Sequence, residues 1–218
     1  MPAQRIKKLC AYLDACKTFA DVACDHGYCT RYMLDNGLCE SATVSDISDK
    51  SLSKARALLS GYIEGGRCAA VCCDGLCGID PATEQVLIAG IGGEEIVSIL
   101  KNSFIPERFV FQPMKNAETL RRFLIGKGCG ITADDVFSDG RNYYFVIKGA
   151  RGGNTVGYTP ACYAYGRDSL NNPVFKDYLR RELEKKREYL TRKMSREQSE
   201  RLERQVRFMQ GVLEGEID

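Results

Sequence analysis

The sequence predicts an α/β protein: a mostly parallel sheet with helices on both faces, followed by an antiparallel helical hairpin. Three observations carry this. Short β-leaning runs alternate with amphipathic segments as far as residue 127. Two strand-like runs then follow each other with no helix between them. Beyond residue 172 strand signals vanish, and apolar residues recur at helical spacing within a highly charged stretch.

Ile6, Leu9, Cys10 and Leu13 place an amphipathic helix over residues 3–16. "FADVAC" is the first strand, and a helix over 28–35 ends at Asn36-Gly37, a good C-terminal cap. "SATVSDIS" is a second strand ending at Asp46, and Ser48 or Asp49 caps a helix over 49–60. "RCAAVCCDG" is the third strand, ending at Asp74, and "EQVLIAGIGG" the fourth, with the helix "EEIVSILKN" after it. "RFVFQP" is the fifth, before a helix over 116–127 with Gly128 past its end. "GITADDVFS" and "RNYYFVIKGA" pair as antiparallel neighbours. The loop "RGGNTVGYTP" marks a boundary, dividing the chain into 1–152 and 153–218. In the second part Phe175, Tyr178, Leu179 and Leu183 begin one stripe, and Leu202, Val206 and Met209 belong to another. Two such helices bury their stripes against each other or against the sheet domain, and Ser195 can cap the second, with the turn near 194–197.

With 218 residues, 44% apolar and 28% charged, the chain is an ordinary globular protein rather than a disordered one. The net charge of +2 is uneven: residues 176–207 hold twelve Lys/Arg against seven Asp/Glu. The N-terminal run lacks the unbroken apolar stretch of a signal peptide and no run reaches membrane length, so a cytoplasmic protein without a membrane partner is expected, as a monomer. Eleven cysteines without a CxxC pair, beside a single histidine, make a metal site improbable; cysteine then serves as a small core residue.

Open α/β sheets bind ligands beyond the carboxyl ends of their strands. Ala23-Cys24-Asp25-His26-Gly27 follow the first strand, Asp46 ends the second, Asp74-Gly75 follow the third, and Ala89 to Gly93 follow the fourth. A carboxylate at Asp46 suits two ribose hydroxyls, and one at Asp74 suits an adenine amino group. "AGIGGEE" is nearly a dinucleotide fingerprint, but it stands on the fourth strand and the residue at the required offset is Gln112, an amide. The first loop, with Asp25, repels phosphate and suits a ligand carrying ammonium or sulfonium charge. The strand layout is that of class I methyltransferases and is close to dinucleotide-binding folds.

"DVACDHGYCT", "VSDIS", "CCDGL", "VLIAGIGGEEIVSIL" and "FVFQPMKNAETLRRFLIGKG", in that order, resemble the TrmK family of bacterial tRNA methyltransferases. The resemblance covers most of the chain, including "NPVFKDYL" and the hairpin. It implies a class I methyltransferase (Rossmann-like) fold with a C-terminal coiled coil, S-adenosylmethionine as cofactor, tRNA as partner, and methylation of N1 of adenine 22. The family's first loop usually reads D-I-G-S-D-H-A-Y-L-P; here Ala23 replaces the glycine, Gly27 the alanine and Thr30 the proline.

Carried over by position, Asp21, Ala23, Asp25, His26, Gly27 and Tyr28 are implied around the methionine end of the cofactor. Asp46 and Ile47 fall at the ribose, Asp74 and Gly75 at the adenine, and Ala89 and Gly90 complete the cofactor set. Gly90 to Gly93 are implied to face the target base, with Gln112 and Pro113 as a further wall, and Asp25, His26, Gly90 and Gly92 are the implied catalytic positions. His26 has three open readings: orienting the base or cofactor, hydrogen bonding within its loop, or proton transfer. Arg180, Arg181, Lys185, Lys186, Arg187, Arg192 and Lys193 read from sequence as a solvated helical face, which the resemblance turns into phosphate contacts. Lys115, Arg121 and Arg122 form a second candidate patch. Other readings stay open at this point: a methyltransferase of this fold on another substrate, a non-catalytic RNA- or partner-binding protein, or, more distantly, a nicotinamide-dependent oxidoreductase.

Overall fold

The computed structural model describes residues 4–216; residues 1–3, 217 and 218, the outer ends of the two expected divisions and the start of the first expected helix, lie outside the described residues. In the first half, α1 (Gln4–Cys10), β1 (Cys16–Val22), α2 (Tyr28–Asp35) and β2 (Cys39–Asp46) lead into α3 (Asp49–Leu58), α4 (Ser60–Glu64), β3 (Cys68–Cys72) and β4 (Gln85–Ala89). Next come α5 (Gly93–Asn102), β5 (Arg108–Gln112), α6 (Ala117–Gly126), β6 (Gly130–Ser138) and β7 (Tyr143–Ala150). α7 (Pro160–Tyr165), a 3₁₀ turn (Ser169–Asn171), α8 (Pro173–Leu190) and α9 (Arg196–Glu214) close the chain.

The seven strands form one sheet in the order β3-β2-β1-β4-β5-β7-β6. β1 to β5 are parallel, and β7 runs antiparallel to both β5 and β6. The chain winds outward from β1 in one direction, then returns to β4 and winds in the other, so the strand order switches between β1 and β4. Loops leaving those two strands must part, and a crevice opens there. Side-chain alternation sends Phe19, Val44, Leu87 and Val110 to one face, where α1, α2 and α3 cover them. Ala20, Val22, Val86 and Ile88 go to the other face, under α5 and α6. Cys10, Cys29, Cys39, Cys68, Cys129 and Cys162 are buried, while Cys72 and Cys77 are exposed.

The differences from expectation are local. α1 stops at Cys10 and tightens into i→i+3 turns that carry the chain to the buried Leu13. The helix expected over 49–60 breaks at Leu59 into α3 and α4, with Ser48 accepting from the Ser51 N–H as its cap. α7 and the 3₁₀ turn are too short to show a period, although Thr159-Pro160 is a cap and first-turn pair. The hairpin turn lies at 191–195, and Ser195 caps α9 through a full capping box with Gln198. Phe175, Leu179 and Leu183 of α8 pack with Val206 and Met209 of α9 and with Val136 of β6. Lys186, farther along α8, hydrogen-bonds Gln205, earlier in α9, so the two helices run antiparallel. No described helix is long and apolar enough to cross a membrane.

Arg121 is a correction. It was expected in a surface patch and is fully buried. Its Nε donates to both Asp134 oxygens at 2.9 Å, and its Nη1 donates to the carbonyls of Tyr163 and Ala164. Tyr158 donates its hydroxyl to the same carboxylate at 2.8 Å. Removing one partner of such a pair leaves a bare charge in a dry interior. Arg121→Ala is expected to lower stability by about 3–5 kcal/mol in urea denaturation. The double variant Arg121→Met with Asp134→Leu is expected to lose clearly less, because neither charge remains.

Candidate functional site

The first loop is built from strained backbone. Ala23 (φ 56°), Asp25 (φ 47°) and Gly27 (φ 70°) all lie in the left-handed region. Backbone bonds hold them there: Cys24 N–H donates to the Ser45 carbonyl, Asp25 N–H to the Asp46 carboxylate, and Gly27 N–H to the Cys24 carbonyl. The Asp25 carboxylate accepts from Lys54 at 2.8 Å and contacts His26 Nδ1 at 2.6 Å. The Lys54 ammonium, followed by His26, holds the Asp25 carboxyl below its ordinary range despite some burial. His26 stacks on Tyr28 with ring centroids 5.5 Å apart. Its Nδ1 is thus spoken for by Asp25, and its ring orientation by Tyr28.

Asp21 lies beneath this loop, almost fully buried, and accepts from the Thr30 hydroxyl at 3.0 Å. Burial pushes its carboxyl up to about 7. Asp46, the last residue of β2, accepts from the Ser48 N–H at 2.8 Å as well as from Asp25, so its carboxylate is aimed by two backbone donors. Asp74 follows β3 and is exposed.

These residues surround one cavity of about 440 Å³ at the carboxyl ends of β1 to β4. Asp21, Ala23, Asp25, His26 and Tyr28 line it from the first loop. Asp46, Ile47, Asp74 and Gly75 line it from the second and third, and Ala89 and Gly90 from the fourth. Four expected residues are not on its wall: Gly27, Gly92, Gln112 and Pro113. A Cβ on Gly27 would stand 3.0 Å from Leu59 Cδ1 and 3.2 Å from Ala55 Cβ, so this glycine faces the second helical layer and lets α2 approach α3. Gly92 is buried at the start of α5, with its missing side chain directed at Lys115.

The glycines after β4 serve a loop crossing. Gly90 and Gly93 donate to the carbonyls of Gln112 and Lys115, and Met114 donates to that of Ile91. A Cβ on Gly93 would collide with the Asn116 carbonyl oxygen. Only glycine lets the β4–α5 and β5–α6 loops lie on each other. Gln112 is buried, and Pro113 lies on a second cavity of about 540 Å³ with Lys115, Arg122, Tyr143 and Tyr178. Arg122 pairs with Glu118 and covers the Tyr163 ring at 4.2 Å. On the hairpin, Arg180, Arg181, Lys185 and Arg187 are exposed and Lys186 is half-buried.

Sequence reasoning missed several contributors to the main cavity, among them Arg5 of α1 and Glu95 and Ile99 of α5. Helical spacing puts Arg5 one turn before the buried Leu9, and that was the available signal. Among the described residues no group of three His, Cys, Asp or Glu is placed to hold a metal ion.

The methyltransferase-domain family profile matches residues 3–147. The chain belongs to this methyltransferase family. The matched span includes every strand-end residue of the cavity and stops before α7, α8 and α9. A candidate tRNA methyltransferase from Mycoplasma pneumoniae is 33% identical over 138 residues, 60% of this chain and 62% of that protein. The chain thus spans about three-fifths of the length of the curated relative it matches. Among solved structures, M. capricolum TrmK, in complex with S-adenosylhomocysteine, superposes with a TM-score of 0.89 at 18% identity over 98% of both chains. The B. subtilis m1A22 tRNA methyltransferase TrmK gives 0.82 at 21% identity, covering 100% of this chain and 99% of that one. At these identities the likeness is one of fold: a class I methyltransferase sheet with the two C-terminal helices included.

Two outcomes follow from the loop. Ala23 holds a conformation that costs a non-glycine residue roughly 1 kcal/mol, so Ala23→Gly is expected to raise the unfolding free energy by roughly 0.5–1 kcal/mol. Asp21 keeps its proton to about pH 7 when folded but releases it near 3.8 when unfolded. Between those values the native state binds the extra proton, so this group makes stability fall as pH rises from about 4 to about 7, then level off. Asp21→Asn is expected to remove that slope in denaturation curves at about pH 5 and about pH 8. A wild-type–variant difference that does not change with pH would sink the assignment.

Proposed function

We propose that this methyltransferase moves the methyl group of S-adenosylmethionine to N1 of adenine 22 in tRNA, as a cytoplasmic monomer. The observation that carries the reading is the pair of carboxylates, Asp46 and Asp74, at adjacent strand ends of one acid-lined cavity. When bound, the cofactor supplies an electrophilic methyl group on a positively charged sulfur. The residues fit it: the wall offers carboxylates for ribose hydroxyls, an adenine amino group and an ammonium, and no phosphate-binding glycine loop. The names of the M. capricolum and Mycoplasma pneumoniae relatives support the same reading.

Asp46, aimed by two N–H donors, accepts from the ribose hydroxyls, and Asp74 accepts from the adenine amino group. Adenine N1 has a free lone pair at neutral pH, so no residue has to remove a proton before attack. The task of Asp25, His26 and Gly90 is then alignment of the base with the cofactor, while Gly92, off the cavity wall, serves the loop that carries Gly90. Asp25, held ionised by Lys54, also offsets the positive charge of the methylated base. His26, fixed between Asp25 and Tyr28, positions rather than transfers a proton. The target base leaves its stack to reach the cavity. In this reading residues 1–152 hold the cofactor, and the hairpin of 153–218 grips the tRNA backbone through Arg180, Arg181, Lys185, Lys186 and Arg187. Lys115 and Arg122 make a second contact nearer the cavity.

Incubation with S-adenosylmethionine and an unmodified tRNA transcript is expected to yield 1-methyladenosine by nucleoside mass spectrometry, and none when adenine 22 is replaced. Methylation of another position would overturn the target. Asp46→Ala is expected to weaken cofactor binding more than about tenfold by calorimetry. Reversing the charges of Arg180, Arg181, Lys185 and Lys186 is expected to weaken tRNA binding while leaving cofactor affinity unchanged.

A further inference from the structure

Glu95 lines the main cavity from the first turn of α5. It is exposed, and among the described residues no side chain hydrogen-bonds or ion-pairs with it. Other acids of that wall are engaged: Asp21 with the Thr30 hydroxyl, Asp25 with Lys54 and His26, Asp46 with two backbone N–H groups. A free carboxylate where an RNA must enter repels phosphate. An acid in the first turn favours the helix, but Glu94 supplies that too, from outside the cavity wall.

The place of Glu95 along α5 shows which ligand it meets. Ile99 lies one turn further on the same face, and a Cβ on Gly75 would stand 2.9 Å from its Cγ2. Ile99 therefore covers the Gly75 end of the cavity. Glu95 stands about 6 Å back along the helix, toward the β4 loop, where Gly90 and Ile91 also line the wall. On the reading above, Asp74 and Gly75 hold the cofactor's adenine and Gly90 faces the target base. The cofactor's donors are then matched: Asp46 takes the ribose hydroxyls, Asp74 the adenine amino group and the acidic first loop the ammonium. The donor left for Glu95 belongs to the target.

Adenine carries such a donor at C6, next to the N1 that is methylated. In the transfer N1 gives its lone pair to the methyl carbon, the carbon–sulfur bonding pair stays on sulfur, and no proton moves. The base becomes a cation whose charge is shared between N1 and the exocyclic nitrogen. A carboxylate on that amino group is bound more strongly as the new bond forms, which is the condition for accelerating the step. Guanine presents a carbonyl at C6, which a carboxylate repels. We propose, resting on the adenine-N1 reading above, that Glu95 accepts a hydrogen bond from the exocyclic amino group of the target adenine, selecting that base and stabilising the charge it acquires.

Single-turnover methylation of two tRNA transcripts at saturating S-adenosylmethionine tests this. One carries adenine at position 22; the other carries purine, which keeps N1 and lacks the amino group. Glu95→Ala is expected to slow the adenine transcript about 10- to 100-fold and the purine transcript less than about threefold. Glu95→Gln, which keeps an acceptor without the charge, is expected to fall between. Where purine reacts too slowly to time, the affinities of the two transcripts for the S-adenosylhomocysteine complex give the same comparison. Calorimetry with S-adenosylhomocysteine alone is expected to give one affinity for wild type and both variants. A loss there would assign Glu95 to the cofactor and overturn the proposal. Equal slowing of both transcripts, or slowing of neither, would overturn it too. If wild-type protein made no 1-methyladenosine at position 22, the target reading itself would fall and take the inference with it.

Discussion

The strap that leads from the sheet to the hairpin is held by one buried ion pair. Arg121 of α6 and Asp134 of β6 face each other with no exposure on either side chain. Burial still leaves the Asp134 carboxyl above its ordinary value, despite the guanidinium beside it. In that setting each charge is tolerable only while the other, and the remaining donors and acceptors, stay in place. The carbonyls of Tyr163 and Ala164 and the hydroxyl of Tyr158 add to the shell, which still leaves Arg121 Nη2 without a partner. All three come from the segment between the sheet and α8. The backbone after α7 then passes so close to Asp134 that Gly166, with φ 93°, could not carry a side chain there. The pair therefore acts as a lock on the strap leading to α8, while α8 itself docks on β6 through Val136 and through Asn172 at its cap.

The cavity rests on a different constraint. Parallel strands β1 and β4 lie side by side, but their connections depart in opposite directions, so neither loop can fill the space between them. What the two sides contribute differs in kind. On the β1 side the loop is short, strained and acidic, and hydrogen bonds from its own backbone to β2 hold it in shape. On the β4 side the loop is glycine-rich because it must cross the β5–α6 loop at van der Waals contact. A fingerprint that resembles a phosphate cradle is thus explained by backbone crossing, and the electrostatics agree: acids converge on a space with one guanidinium at its edge.

Much of this was legible beforehand. The alternation of strands and helices, the antiparallel last pair, the caps at Ser48 and Ser195 and the clustering of strand-end acids all follow from short-range rules. Periodicity, capping and turn chemistry act within a few residues, and the sheet rule carries the carboxyl ends of the parallel strands to the same edge. Failures fell where a side chain's partner is distant. Arg121 stands in "TLRRFL" on the apolar face with Leu120 and Leu124, but only the position of Asp134 shows what makes a buried guanidinium tolerable there. Gly27 looked like part of a ligand loop, yet its role is the approach of Ala55 and Leu59 from another layer.

The sequence by itself determined the order and kind of the elements, the acidity of the strand ends and the charge of the hairpin, because these are written in local spacing and composition. Tertiary structure alone decided which charged groups are buried, which glycines face the cavity and which face a neighbouring helix, and that α1 brings Arg5 to its rim. Those outcomes depend on the close packing of segments far apart in the chain, and local periodicity holds no record of a partner a hundred residues away.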